Sequence, residues 1–435
     1  MTDVPLQLSV AEDNANGFRL PQGYDHEQAL ARCGAIEIER KEDAFEIVLL
    51  DRRFHASEPA IVNLSDDGLF DVIQDCRGAW DRALEAFTTT RSDPLQGKKR
   101  VNPFENAWDK PISDDAFHGL GAQLAVAGRD LFRTLFERNR GTPLDRIARS
   151  LHDIVQSGAC ALTVKTTCFH VPWRMLYTHP AGELAADGSN FVPQGFWGYQ
   201  HVVEQYPRFY PVSDQLRPRN GKLALGAALH ERIDTDFTVD CIKRHRDFIQ
   251  SSGNLLSYAE WTRIAELEQG LSADPFGQQI IYFLCHAEVA GTADAPVLSP
   301  PKLQLADGKI AAARIRNLIP NKFGPSPPLV FINACRGGQF ATLVRQSFTF
   351  ASEFLEQGAI CVVGPQIEVP AVFAGEFGNR FFTALLERKI PPPQAGSVLR
   401  KLTQDMWARN NPFGLVYSLY AGADCHIHWS EEITS

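Results

Sequence analysis

Short apolar runs separated by helix-length stretches are the feature of this sequence that most restricts its fold. Short runs of this kind are typical of strands buried on both faces of a sheet. The runs are Ala161–Val164, Leu223–Leu229, Gln279–Leu284, Leu329–Ile332 and Ala359–Val363. Segments with helical periodicity, such as 348–357 and 374–387, lie between or after them. This alternation predicts an α/β fold with three layers, in which helices flank both faces of a mostly parallel sheet.

The N-terminal part of the chain has a different pattern. Alternating apolar and charged residues at 35–39, followed by an apolar segment at 45–50, predict two strands joined as a β-hairpin. Apolar residues at three- and four-residue steps predict helices over 66–88 and 120–136. The N-terminal part is therefore expected to be α+β in character.

A loop between the two predicted helices suggests a domain boundary, because it contains several residues that break regular structure. These residues are Pro94, Gly97, Pro103 and Pro111. We therefore expect an N-terminal α+β accessory segment over residues 1–112 and a main domain over residues 113–435.

Charge and composition argue against several classes of function. The formal net charge of -9 is unsuited to a general binder of nucleic acid, and the short basic run 98–100 is predicted to be a solvated loop. We find neither a signal-peptide pattern nor an apolar run near the ~18 residues that span a bilayer. The nine cysteines contain no C-x-x-C pair, which favours free thiols in a reducing cytoplasm over a disulfide framework.

Two predicted strands end in residues that can react together. His286 follows the run 279–284, and Cys335 follows the run 329–332. The carboxyl ends of parallel strands meet at one edge of a sheet, so we expect these two side chains to be neighbours. Parallel neighbours need a crossover connection, and segment 306–318 is predicted to be its helix.

The pair has the chemistry of a cysteine nucleophile and its base. A thiol with a pKa of ~8.5 is mostly protonated at neutral pH, and an adjacent imidazole can accept its proton and later give it to a leaving amine. Glycines follow Cys335, and the backbone N–H groups of Cys335 and Ala287 are candidates for holding an oxyanion. Each residue alone is more often a buried core residue than a catalytic one.

Motif and spacing strengthen this interpretation. Asn333-Ala334-Cys335-Arg336-Gly337 fits four of the five positions of the caspase pattern Gln-Ala-Cys-[Arg/Gln/Gly]-Gly, whose histidine lies about 50 residues upstream. In this chain the histidine lies 49 residues upstream. Cys285 adjoins His286 but is expected to point to the opposite face of its strand and to be buried.

The chain resembles the CHAT family of caspase-like proteins from about residue 115 to residue 428. Besides the two strand ends, the matching segments are 171–176, 350–359, 361–364, 381–386 and 417–422. The resemblance implies a caspase-like three-layer fold and hydrolysis of peptide bonds, with Cys335 as nucleophile and His286 as base and then acid. It also implies limited, site-specific cleavage of a partner protein.

Three positions depart from the family pattern. Ala287 stands where a glycine usually follows the histidine, and Asn333 stands where serine is usual. Related proteins use an acid after the next strand to hold a basic side chain of the substrate, and Glu368 is the only acid in segment 364–371. Glu368 and Asn333 are therefore the candidates for the substrate pocket.

The resemblance also suggests a partner, and two alternatives to a protease remain open. CHAT proteases occur in bacterial defence systems, so a gasdermin-like pore former in antiviral defence is the suggested substrate. A regulatory partner acting through the N-terminal segment, or self-cleavage within 296–328, are the hypotheses for activation. The first alternative is a catalytically silent CHAT scaffold that binds regulatory partners. The second is an α/β binding module without protease activity, in which Cys335 and His286 are structural.

We expect no cofactor and no metal. The sequence contains no phosphate-binding glycine motif. Cys425, His426 and His428 are close in sequence but have no further ligand at metal-binding spacing.

Overall fold

A mixed sheet of mostly parallel strands, flanked by helices, forms the centre of the protein. The computed structural model describes residues 30–429 except 43, 52–54, 94–96, 106–110, 138–140, 168, 170, 207–212, 289–301, 320–322, 324–326 and 335–342. The strands are β1 (Arg32–Lys41), β2 (Ala44–Asp51), β3 (Ala60–Val62), β4 (Thr89–Asp93), β5 (Gly97–Val101), β6 (Ala161–Thr166), β7 (Val202–Tyr206), β8 (Gln215–Leu216), β9 (Leu223–Leu229), β10 (Leu256–Trp261), β11 (Ile280–Glu288), β12 (Lys302–Leu305), β13 (Gly308–Ala311), β14 (Leu329–Ala334), β15 (Cys361–Pro365), β16 (Tyr417–Tyr420) and β17 (His426–Ile427).

Helices connect most of these strands. They are α1 (Asp66–Glu85), α2 (Asp114–Phe136), α3 (Pro143–Gln156), α4 (Trp197–Gln200), α5 (Ile233–Phe237), α6 (Cys241–Ser251), α7 (Ile264–Leu271), α8 (Ala312–Leu318), α9 (Leu343–Glu356), α10 (Ala371–Leu385) and α11 (Ala395–Trp407). The described residues contain no helix that is both long and apolar enough to cross a membrane.

The strand order places the chemistry of interest in one half of the sheet. The order is β10-β9-β11-β14-β15-β16-β7-β6-β1-β2-β3, with the β12–β13 hairpin attached to the end of β11. From β10 to β15 all neighbours are parallel, whereas β16 is antiparallel to β15. The other half contains β16, β7, β6 and β1 as parallel neighbours, and β2 and β3 are antiparallel at its edge.

Alternate residues of the central strands point into two different apolar layers. Tyr282 on β11 packs its ring against Phe382 of α10, with ring centres 5.5 Å apart. Phe283, the next residue, packs against Phe354 of α9 on the opposite face, also at 5.5 Å. Both faces of the strand are therefore buried, which explains why its sequence is a continuous apolar run rather than an alternating one.

The sequence predictions of regular structure are mostly confirmed. The hairpin is β1 and β2, the two N-terminal helices are α1 and α2, and the five apolar runs correspond to β6, β9, β11, β14 and β15. Segment 306–318 is helical only from Ala312, because Gly308–Ala311 pairs with β12 as a hairpin strand. The basic run 98–100, predicted to be a loop, lies in β5.

The expectation of free thiols was wrong for one pair of cysteines. Cys33 on β1 and Cys160, directly before β6, form a disulfide across 127 residues of sequence. Five further cysteines of the described chain are free and buried, namely Cys76, Cys241, Cys285, Cys361 and Cys425. The disulfide joins neighbouring strands, since β1 also pairs with β6 in parallel. The accessory segment thus continues the main sheet, and the boundary at residue 112 stays a prediction.

Arg174 holds together parts of the chain that are far apart in sequence. Its guanidinium is buried and donates to the carbonyls of Gly414, Tyr417 and Gly198 and to the Thr403 hydroxyl. Burial lowers the pKa of Arg174. The planar fork of arginine supplies these donors in fixed directions, which a lysine ammonium cannot reproduce.

We predict that Arg174→Met lowers the free energy of unfolding by about 3 kcal/mol or more, because four hydrogen bonds from the guanidinium are lost inside the protein. Urea denaturation followed by circular dichroism measures this change. Arg380→Met is the matched control, since Arg380 lies at the surface in a pair with Glu376 one helical turn away. The control is expected to change stability by at most about 0.5 kcal/mol. Equal losses in the two variants would contradict the role of Arg174.

Candidate functional site

Three parallel strands end side by side, and their shared register sets the level of the candidate site. Leu284 on β11 lies opposite Leu229 on β9 and opposite Asn333 on β14. The backbone N–H of His230, which follows β9, donates to the carbonyl of Leu284 at 2.9 Å. The residues that follow Leu229, Leu284 and Asn333 are therefore brought together at one edge of the sheet, which we call the rim.

His286 lies at this rim, as predicted. It is half-buried on the last part of β11, where its backbone lies opposite Gln304 of β12. Its ring is contacted edge to face by His230, at 4.9 Å between ring centres, and by Phe237 of α5, at 5.5 Å. Ala287, the next residue, is buried on the other face of the strand.

Cys335 lies outside the described residues, so its role as the nucleophile stays a prediction. Ala334, to which it is bonded, is the last residue of β14 and lies opposite Cys285. Cys285 itself is buried in the apolar layer beside Ala287, and burial raises the pKa of its thiol. The expectation that Cys285 is buried is therefore confirmed.

Asn333 lies in the interior of the sheet. Its amide nitrogen donates to the Tyr282 hydroxyl at 3.1 Å and to the Ala374 carbonyl at 2.7 Å. Its amide oxygen accepts from the Tyr417 hydroxyl at 2.7 Å, and the residue is fully buried. These bonds tie β11, β14, α10 and β16 together, and they engage both ends of the side chain. The side chain of Asn333 is therefore engaged in the interior of the sheet.

Glu368, the other pocket candidate, follows β15 and is half-buried. Helix α1 contacts the loop that carries Glu368, and the sequence alone did not predict this contact. Arg77 of α1 donates to the side-chain oxygen of Gln366, and Gln366 in turn donates to the hydroxyls of Ser418 and Tyr420. The accessory segment thus contacts the loop at the carboxyl end of β15.

Asp81, one helical turn after Arg77, is buried close to Glu368. Its Oδ2 atom has no hydrogen-bond partner among the described residues. Burial, together with the charge of Glu368, raises the pKa of Asp81 to about 8. The carboxyl is therefore mostly protonated in the folded protein at neutral pH, and its ionisation places a second negative charge near Glu368.

His230 is the residue of this rim that the sequence analysis missed. It is almost completely buried, at 2 % exposure, and directly follows the apolar run 223–229. The rule that singled out His286, a histidine directly beyond a buried strand, applies equally to His230. Burial and the nearby His286 lower the pKa of His230.

The C-terminal histidines are not grouped with further ligands among the described residues. The Nδ1–H group of His426 donates to the carbonyl of Asp424 at 2.8 Å, and Cys425 is buried. Within the described ranges no group of three or more histidine, cysteine or acidic side chains is arranged to hold a metal ion.

Comparison with known proteins identifies one family and two kinds of relative. Residues 227–412 match the CHAT domain family. A probable protease of Vitiosangium sp. (strain GDMCC 1.1324) is 26 % identical over 245 residues, which cover 54 % of this chain and 30 % of that protein. The chain therefore spans about a third of the length of this relative.

Two crystal structures of the Saccharomyces cerevisiae separase–securin complex, at 3.0 and 2.6 Å resolution, are also similar in fold. Each has a TM-score of 0.41 and covers 91 % of this chain and 30 % of the other chain. The sequence identities are 10 % and 9 %.

The raised pKa of Asp81 predicts how stability depends on pH. In the unfolded chain the carboxyl ionises near pH ~3.9, so between that value and about 8 unfolding releases a proton. Stability contributed by the protonated form is therefore lost as pH rises through this window. Linkage puts this loss at about 5 kcal/mol by pH 8, and Asp81→Asn should remove it and make the protein more stable than wild type at that pH.

Thermal unfolding at pH 5, 6.5 and 8 measures the effect. Asp71→Asn is the control, because Asp71 is an exposed residue of the same helix. The control should keep the pH dependence of the wild type. A decline that is equally steep in Asp81→Asn and wild type would contradict the assignment.

Proposed function

We propose that the chain, whose residues 227–412 match the CHAT domain family, is a caspase-like cysteine endopeptidase with Cys335 as nucleophile and His286 as base. The observation that carries the proposal is the register of β11 and β14. Ala334 lies opposite Cys285, so the two proposed catalytic residues are each the next residue along neighbouring parallel strands. Their positions agree with the motif and the 49-residue spacing in the sequence.

The residues bonded to the proposed dyad are neighbours on two paired strands. Cys285, which precedes His286, lies opposite Ala334, which precedes Cys335, and paired strands are ~4.8 Å apart. Side chains alternate along a strand, so His286 shares the face of Leu284, whose partner on β14 is Asn333. This pairing supports the proposed dyad of His286 and Cys335.

The proposed reaction uses the dyad in two steps. His286 accepts the thiol proton of Cys335, and the thiolate attacks the carbonyl carbon of the scissile bond. His286 then gives the proton to the departing amine, which leaves a thioester. Water, deprotonated by His286, attacks the thioester and releases the acid and the free thiol. The backbone N–H groups of Cys335 and Ala287 are the proposed donors to the oxyanion.

The proposed substrate is a partner protein cut at specific sites. The half-buried position of Glu368 after β15 supports Glu368 as the residue that contacts the substrate side chain on the N-terminal side of the scissile bond. A gasdermin-like pore former remains the candidate substrate that the family resemblance supplies. The proposed place of action is the cytoplasm.

The reactivity of Cys335 tests the dyad without knowledge of the substrate. Trypsin releases residues 323–336 as a peptide in which Cys335 is the only cysteine, so its alkylation by iodoacetamide can be followed by mass spectrometry. At pH 6.5 an unassisted thiol with pKa ~8.5 is only about 1 % thiolate. We predict that His286→Ala slows alkylation of Cys335 at this pH by about tenfold or more.

The matched control is His55→Ala, because His55 is an exposed histidine outside the candidate site. It should alkylate at the wild-type rate. If His286→Ala and wild type react equally fast, the dyad is wrong.

Cut-site proteomics tests the reaction itself. Wild type and Cys335→Ala are each incubated with a proteome, and new peptide N-termini are compared. Cuts that depend on Cys335 support the endopeptidase and give the residue preferred before the cut. A reactive Cys335 with no dependent cuts would favour the scaffold that binds regulatory partners.

A further inference from the structure

We propose that His230 is a positioning residue, an imidazole that packs against His286 and holds its ring in the orientation needed to meet Cys335. The inference rests on the proposed function, because it assigns His230 a task only if His286 acts on a thiol. It concerns the side chain at the end of β9, a third strand beside the two that carry the dyad.

The geometry of the contact fits this task. The rings of His230 and His286 meet edge to face, with centres 4.9 Å apart and planes at 69°. The torsion that turns a histidine ring is broad and roughly two-fold, so packing must select its orientation. Small misplacements of a catalytic group cost large factors in rate, which makes such packing valuable.

The position of His230 is itself firmly set. Its N–H donates to Leu284 at 2.9 Å, and its carbonyl accepts from the N–H of Ile233 at 3.0 Å, where α5 begins. The side chain is buried, and its Nδ1 atom has no hydrogen-bond partner among the described residues. An imidazole that is anchored through its backbone presents its ring as a fixed surface.

His230 can serve this task only while it is neutral. Burial and the charge of His286 lower its pKa, Asp236 acts to raise it, and Arg232 acts to lower it. A neutral ring tolerates the imidazolium that forms when His286 takes the thiol proton. A charged ring at 4.9 Å would oppose that step, because like charges at this distance disfavour each other.

The ring of Phe237 also packs against His286, and it comes from α5, the short helix that follows β9. Phe237 is the last residue of α5, and its ring meets that of His286 edge to face at 5.5 Å. Its side chain is 43 % exposed, so it contributes little to the core. The end of β9 and the short helix after it thus place two rings against His286.

The test compares variants that keep or remove the ring at position 230. His230→Phe retains an aromatic ring, His230→Leu removes it, and alkylation of Cys335 by iodoacetamide is followed from pH 5.5 to 9.5. We expect His230→Phe to stay within about threefold of wild type, and His230→Leu to be about tenfold slower at pH 6.5. The Leu variant should approach the wild-type rate above pH 9, where the thiolate forms without help from His286.

The matched control is His245→Phe. His245 is another buried histidine with a lowered pKa, but it lies on α6 and bonds to Asn379. The His245→Phe variant measures the effect of losing a buried imidazole elsewhere in the domain. It should lower the melting temperature but leave the pH dependence of Cys335 alkylation unchanged. Equal pH profiles for His230→Leu and His230→Phe would overturn the inference, as would a loss that appears equally in His245→Phe.

Phe237→Leu keeps the inference testable if His230→Leu fails to fold. Phe237 is partly exposed, so its replacement should leave the melting temperature unchanged. If alkylation of Cys335 is about threefold slower at pH 6.5, the result supports the inference that the rings of His230 and Phe237 hold His286. An unchanged alkylation rate overturns it. The failure of the dyad itself is recognised separately, because His286→Ala would then alkylate as fast as wild type.

Discussion

The common register of β9, β11 and β14 is the constraint on which the rest of the candidate site depends. Side chains alternate along a strand, so a shift of β11 by one residue would move Tyr282 and Leu284 to the wrong face. Both faces are buried, and Asn333 already bonds to the hydroxyls of Tyr282 and Tyr417. Such a shift would therefore disrupt two apolar layers and a buried hydrogen-bond network at once. The same packing that stabilises the sheet fixes which residues reach its rim.

The sequence predicted these strands well because of their burial. A strand covered on both faces is a continuous apolar run, and the first polar residue beyond it marks the rim, as at His286. The prediction of secondary structure was wrong where one segment carried signals for both a helix and a turn. Segment 306–318 was expected to be one helix, but Asp307-Gly308 is a turn signal, and Gly308–Ala311 pairs with β12. His230 carried the same signal as His286, but its contact with that ring depends on how α5 turns after β9.

Other features could not be predicted because they join distant parts of the chain. Nothing in the spacing of Cys33 and Cys160 indicates that β1 and β6 are neighbours. Arg174 resembles any other arginine in the sequence, yet its four acceptors come from residues 198, 403, 414 and 417. Burial of such groups is a property of the tertiary structure, since a charge is tolerated in the interior only where partners converge on it. The raised pKa of Asp81 also results from burial in the tertiary structure, which the sequence does not show.

The contact between α1 and the loop after β15 gives the N-terminal segment a physical connection to the rim. Arg77 is buried and bonds to Gln366, whose amide nitrogen is bonded to Ser418 and Tyr420. Moving α1 away would remove the donor to the buried side-chain oxygen of Gln366, at a cost of about 1–3 kcal/mol. Displacement of α1 would therefore change the surroundings of Glu368. Because β1 also pairs with β6, the N-terminal segment is joined both to the main sheet and to the loop after β15.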